Sequence, residues 1–344
     1  MNAIPVLAAI LLSAASAPPP PPPAANLETV KLSDRAVVVR AGGNNVVALA
    51  SEAGLVVVDT GASPALGVAV RATVERTFGR SDFRYAVNTH AHWDHVWGNQ
   101  AFRDTTIVAH RNAPAHMRRT AREARDAADA PPPDRSKLPP PPPRGRSLNA
   151  VPGVEPMLAG GEGQVMPADR RRAVSELELT EPAITFRDRL RIDLGDMTLE
   201  LIYYGAGHTD SDILVHVPEE SLLATGDLFW KGQLPPLAGA GRIDPDRWLV
   251  ALDLVLEDGR VSRLVPGHGA LLDGAELRAN RDYIANAWDT VRRVRREGGG
   301  LERALAESGP ANRFPLLASP DIPAGERDGL HRGNVEALWN AAGG

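Results

Sequence analysis

Cysteine is absent from this chain of 344 residues, which excludes disulfides and thiolate ligands alike. Any bound metal would therefore have to be held by imidazole nitrogen and carboxylate oxygen. An excess of positive charge is missing too: 38 Lys and Arg against 43 Asp and Glu leave a formal net charge of -5. Without a basic field, sequence-independent binding to a nucleic-acid backbone is disfavoured, local runs such as Arg170-Arg171-Arg172 notwithstanding. The apolar stretch from Ile4 to Ala17 is too short to span a bilayer comfortably, so no integral membrane span is expected in the mature chain.

That stretch ends in small residues and suits the hydrophobic region of a secretory signal, although neither Lys nor Arg precedes it. Residues 1–17 are expected to be a signal peptide, which places the mature protein in the periplasm or outside the cell. The uninterrupted run Pro18 to Pro23 should be extended, making residues 18–26 a spacer.

A composition that is 43% hydrophobic can bury a substantial core. Strands are expected on both sides of Gly42-Gly43-Asn44-Asn45, with Val46 to Ala50 and Leu55 to Val58 separated by a turn at Glu52-Ala53-Gly54. A helix fits Pro64 to Phe78 and a strand Tyr85 to Asn88, an order that indicates α/β layers. From about 117 to 180 the pattern breaks at Pro131-Pro132-Pro133, Pro139 to Pro143 and the glycine-rich Ala159 to Gly163, giving an irregular insertion. Strands resume at Leu190 to Leu194, Leu199 to Tyr204, Ile213 to Val217 and Leu222 to Thr225. Leu277, Ile284, Trp288, Val291 and Val294 then recur at helical spacing until Gly298-Gly299-Gly300 stops the helix. Residues 27–300 form the main domain in this reading, and 301–344 a helical extension.

The densest chemistry lies in Asn88-Thr89-His90-Ala91-His92-Trp93-Asp94-His95, three imidazoles and a carboxylate within six residues after a strand. Crowded imidazoles repel when protonated and are a poor core. A divalent ion removes both difficulties, because it takes neutral imidazole and carboxylate as ligands.

This H-x-H-x-D-H segment resembles the signature of the metallo-β-lactamase superfamily. Val57-Val58-Asp59-Thr60-Gly61, Gly207-His208-Thr209, Gly226-Asp227 and Pro266-Gly267-His268-Gly269 follow the family order, so the resemblance spans about Val46 to Gly269. It implies a four-layer αββα sandwich with metals at one edge, on strand-end loops. It also implies that His90, His92 and His208 hold one ion, that Asp94, His95 and His268 hold the second, and that Asp227 bridges them. The cofactors implied are two divalent ions, zinc first, with manganese and iron as alternatives. Asp59 is divided evenly between capping the next turn and orienting a ligand imidazole, and Asp212 is read as a turn residue. His110, His116, His216 and His331 lie outside every motif and are read as structural or surface histidines. Trp93, between ligands, is read as a supporting aromatic or a pocket wall.

Two ions sharing one oxygen furnish hydroxide near neutral pH, so the implied reaction is hydrolysis of a small-molecule substrate. The family gives Asp94 a second, catalytic role in orienting the water and passing on its proton. Asp227 stands where the best-known β-lactamase subclasses carry Cys or Ser, which points towards the Asp-bridged hydrolases and an ester, lactone, thioester or amide bond, β-lactam included. Glyoxalase II itself is disfavoured for want of a basic cluster near the motifs. The alternative from another class is a mono-iron oxidoreductase resembling persulfide dioxygenase. The flavodiiron branch is disfavoured by His92, where Glu is usual.

Overall fold

The computed structural model describes residues 27–129, 168–237, 243–257, 259, 261–309, 313–319 and 324–343. The expected signal peptide and spacer, and the proline-rich and glycine-rich heart of the insertion, lie outside the described residues.

The first sheet contains β1 (Thr29–Lys31), β2 (Ala36–Ala41), β3 (Asn44–Ser51), β4 (Gly54–Val58), β5 (Phe83–Val87), β6 (Thr106–His110) and β7 (Ile184–Phe186), in that order across the sheet. Strands β1 to β4 pair antiparallel and β4 to β7 parallel. The second sheet runs β12 (Arg263–Pro266), β11 (Leu222–Gly226), β10 (Leu214–Val217), β9 (Thr198–Ile202), β8 (Arg189–Asp193), antiparallel except for the β11–β12 pair.

Successive side chains on a strand point to opposite faces, and the valine-rich strands use both. Val38, Val47, Leu49, Val56 and Val58 of the first sheet meet Leu199, Leu201, Val215, Val217 and Val265 of the second in the central core. Their neighbours Val37, Val39, Val46, Leu55 and Val57 face outward and are covered by Val70 and Val74 of α1 (Pro64–Phe78). Ser63 caps that helix, Pro64 occupies its first turn and Gly79 ends it in the left-handed conformation, so its limits match the sequence reading.

On the far side, Leu214, Leu223 and Leu264 are covered by α5 (Pro245–Glu257) and α6 (Gly274–Arg296). The four αββα layers expected from the sequence are therefore present. Residues after 300 are no loose appendage: Ala304 of α7 (Leu301–Ser308) and Val335 and Leu338 of α8 (Ala324–Ala341) lie in the same core.

The insertion departs from its expected irregularity at both described ends. The segment opens inside α3 (Ala113–Asp129) and closes with α4 (Ala168–Ser175). Met117, Ala121 and Ala124 of α3 and Val174 of α4 pack with Ala91, Val96 and Trp97, behind the His90 to His95 loop. Small apolar residues at helical spacing were outweighed in the sequence by the prolines downstream. No helix among the described residues is long and apolar enough to cross a membrane.

Candidate metal centre

Parallel strands bring their carboxyl ends to one edge. Asp59 follows β4, His90 to His95 follow β5 and enter the short helix α2 (Trp93–Val96), Asp227 follows β11 and His268 follows β12. His208 lies in the turn between β9 and β10. All seven sequence-predicted ligands come together in two groups: His90, His92, His208 and Asp227, then Asp94, His95 and His268, with the potential ligand atoms of each group within 4.8 Å of one another.

In the first group His92 Nδ1 lies 2.9 Å from His208 Nε2, and Asp227 Oδ2 lies 3.9 Å from His90 Nε2 and 3.7 Å from His208 Nε2. In the second, His268 Nε2 is 3.2 Å from Asp94 Oδ2 and 3.3 Å from His95 Nε2. Asp227 faces both: its Oδ2 is 3.2 Å from His268 Nε2 and its Oδ1 is 3.3 Å from His95 Nε2. These separations suit atoms sharing a tetrahedral ion, whose ligands lie about 2.0–2.2 Å from the metal.

The outward nitrogens of four imidazoles are already occupied. His95 Nδ1 donates to Asp59 Oδ2 at 2.9 Å, His208 Nδ1 to the Pro236 carbonyl at 2.8 Å, and His268 Nδ1 to the Gly43 carbonyl at 3.2 Å. Thr89 Oγ1 gives its proton to Asp59 Oδ2 at 2.8 Å, which leaves it to accept from His90 Nδ1 at 3.1 Å. Each anchor sets the tautomer that turns an Nε2 lone pair inward. The buried His90 Nε2 has no hydrogen-bond partner among the described residues. A buried polar atom left so is costly unless something binds it, and the donor set fits divalent cations.

Charge separates the groups. Burial, reinforced by neighbouring imidazoles, pushes His90 well below its ordinary range and His92 down to about 3. Burial acts the same way on His268, but Asp227 and Asp94 outweigh it and raise the imidazole to about 9. His95 is likewise raised well above its ordinary value against its burial, by Asp227, Asp94 and Asp59. Asp94 and Asp227 are held low by these imidazoles despite burial.

The even choice at Asp59 resolves towards the imidazole, since its carboxylate receives Thr89 N, Thr89 Oγ1 and His95 Nδ1. Asp212 is a turn residue, as expected: it accepts from Gly207 N, Thr209 N and Thr209 Oγ1 and so braces the His208 loop. His110 stacks on Tyr203, His116 pairs with Asp210, His216 with Glu200 and His331 with Tyr283, all outside the two groups. Trp93 is partly buried, packed on Trp97 and covered by the Arg170 guanidinium.

Two supports were not read from the sequence. Asn44, taken only as part of a turn, is fully buried and donates through Nδ2 to Asp94 Oδ2 at 3.1 Å. Trp230 sets its ring edge-on to His268 at 5.2 Å. A hairpin Asn and an isolated Trp carry no local signal of such roles.

The layered architecture and the strand-edge cluster of imidazoles and carboxylates define a metal-binding αββα sandwich. The Metallo-beta-lactamase superfamily matches residues 39–268, and the chain belongs to that superfamily. Among curated relatives, it is 32% identical over 114 residues to Metallo-beta-lactamase type 2 of Bacteroides fragilis, covering 33% of this chain and 45% of the relative. It is 29% identical over 105 residues to the type 2 enzyme of Bacillus cereus, covering 30% and 41% respectively. The chain thus spans less than half the length of these relatives. Among solved structures, the fold resembles the stereoselective inverting sec-alkylsulfatase Pisa1 from Pseudomonas sp., with a TM-score of 0.59 and 17% identity, over 91% of this chain and 50% of that one. It also resembles a metallo-beta-lactamase from Pontibacter korlensis, with a TM-score of 0.50 and 18% identity, over 76% and 99%.

Proposed function

We propose that this chain is a dinuclear metal-dependent hydrolase, with zinc as the first candidate for both ions and Asp227 as their shared ligand. The observation that carries the reading is the set of four anchored imidazoles whose Nε2 atoms converge on two groups joined by one carboxylate. His90, His92 and His208 would hold one ion, and Asp94, His95 and His268 the other. When bound, such a pair supplies an acidified water and polarises the bond under attack.

The protein's part is to hold its side chains ready. Asp94 is kept ionised by His95 and His268 and pinned by Asn44, which supports the role proposed for it of orienting water and carrying a proton to the leaving group. His92 is the least buried of the seven candidate ligands. The bond broken is proposed to be an ester, lactone, thioester or amide, β-lactam included; the sulfatase-like fold adds sulfate esters to the trial set.

Export to the periplasm or medium belongs to the same reading and rests on the apolar Ile4 to Ala17 segment. Protein recovered from its host should begin between Ser16 and Asn26; an intact Met1 on cytosolic protein would reject it.

The activity is tested by screening zinc-loaded protein against lactam, lactone, thioester, phosphodiester and sulfate-ester substrates, beside the double variant His90→Ala/His92→Ala. Hydrolysis of at least one class by the parent alone is expected. Equal turnover by the double variant would sink the assignment, and oxygen consumption with a single bound iron would favour the dioxygenase instead.

A further inference from the structure

The helices that follow residue 268 lie outside the family match, yet they reach the His208 ligand through one loop. Asn334 of α8 is fully buried. Its Nδ2 donates to the Pro235 carbonyl at 2.8 Å, and its Oδ1 accepts from Leu237 N at 2.9 Å. The carboxamide thereby grips the chain on both sides of Pro236. The Pro236 carbonyl is the group that receives His208 Nδ1 at 2.8 Å.

Asn334 is itself fixed from behind. Its Nδ2 also donates to Tyr283 Oη at 3.0 Å, and that hydroxyl lies 3.0 Å from His331 Nδ1. His331 Nε2 lies 3.3 Å from Ser308 Oγ, which donates to the Ala304 carbonyl at 2.7 Å. One direction of donation satisfies every member: Asn334 to Tyr283, Tyr283 to His331, His331 to Ser308, Ser308 to Ala304. It requires His331 to be neutral, the form that its burial favours. Apolar side chains at these positions would avoid the desolvation cost of four polar side chains. A fully satisfied network fixes orientation instead.

We infer that Asn334 is a positioning residue for the first metal group: from the C-terminal helix it holds the Pro236 carbonyl that sets the tautomer and ring direction of His208. The inference rests on the ligand reading proposed above. Removing such an outer support costs about 10–100-fold in metal affinity.

The test titrates full-length, metal-stripped parent, Asn334→Ala, Asn334→Asp and Tyr283→Phe with Co2+, following visible absorption and the exchangeable His208 Nδ1 proton in the paramagnetic spectrum, with thermal unfolding of each. Asn334→Ala should weaken the first ion about 10–100-fold and move that proton's resonance. Asn334→Asp keeps an acceptor for Leu237 N but sets a buried carboxylate oxygen against the Pro235 carbonyl, so a loss at least as large is expected; whichever of the two variants folds carries the test. Tyr283→Phe, which leaves both Asn334 contacts to the loop in place, should lower the melting temperature and weaken the first ion less than Asn334→Ala does. Parent-like first-ion affinity in both Asn334 variants would overturn the inference while leaving the metal reading intact, as would a loss in Tyr283→Phe equal to that in Asn334→Ala. A parent that takes up no cobalt would overturn the metal reading, and the inference with it.

Discussion

His95 Nδ1 donates a hydrogen bond across 2.9 Å to the carboxylate of Asp59, a residue whose backbone sits at a φ of 64°. The left-handed conformation is uncommon outside glycine but accessible to Asp, and here it turns the side chain under the β5 loop. Thr89 supplies two further donors to the same carboxylate, so one residue orients His95 directly and His90 through a hydroxyl. Replacement Asp59→Ala should therefore lower affinity at both groups, by about 10–100-fold, with the overall fold retained. Competition with a metal indicator would measure it; unchanged affinity at either group would reject the shared support.

The unequal charge of the two groups makes proton release a second prediction. His268, raised to about 9 in the metal-free protein, must lose a proton before it can ligate, whereas His92, lowered to about 3, need not. Affinity for the ion on the second group, where His95 and His268 are both raised, should rise roughly tenfold per pH unit for each proton displaced. The first ion should respond less steeply. The folded-state value of His268 is raised above its ordinary 6.5, so the stability it lends the metal-free protein is full below pH 6.5 and lost as pH climbs to about 9. Calorimetric zinc titrations in buffers of different ionisation heat would count the protons, and equal release at both steps would contradict this asymmetry.

Close approach of backbone to ligand gives a third. A Cβ on Gly267 would lie 2.1 Å from Asp227 Oδ1 and 2.8 Å from His95 Cε1, closer than atoms can sit. Gly267→Ala should displace the shared carboxylate and lower metal occupancy while melting within a few degrees of the parent. Full occupancy in that variant would show that Asp227 has another place to go.

Behind the ligand loop, Met117 is fully buried in the cluster that includes Val96 and Trp97. Met117→Ala should cost about 2–5 kcal/mol in chemical denaturation. A cost below about 0.5 kcal/mol, typical of surface positions, would mean that α3 is not part of the core.

The sequence carried more of the ligands than of what holds them. The grouping of His90, His92, Asp94 and His95 is legible because four side chains of metal-ligating type in six residues defeat any packing explanation, and that of the remaining candidates because short motifs follow in one order. Helix α1 is legible because cap, proline and glycine all agree on its ends. The supports Asn44, Pro236 and Asn334 are not, since each acts through a backbone carbonyl or a single amide contact between residues far apart in the chain. The root of α3 was hidden by the prolines beyond it, which pulled a whole stretch towards irregularity although their effect on a helix is local.

Sharing of Asp227 by two ions is tested most directly by metal analysis of three purified proteins. The parent should contain about two equivalents, His268→Ala about one, and Asp227→Ala well below one, because a single carboxylate serves both groups. An Asp227→Ala protein that loses one ion and keeps a full equivalent of the other would contradict the shared site.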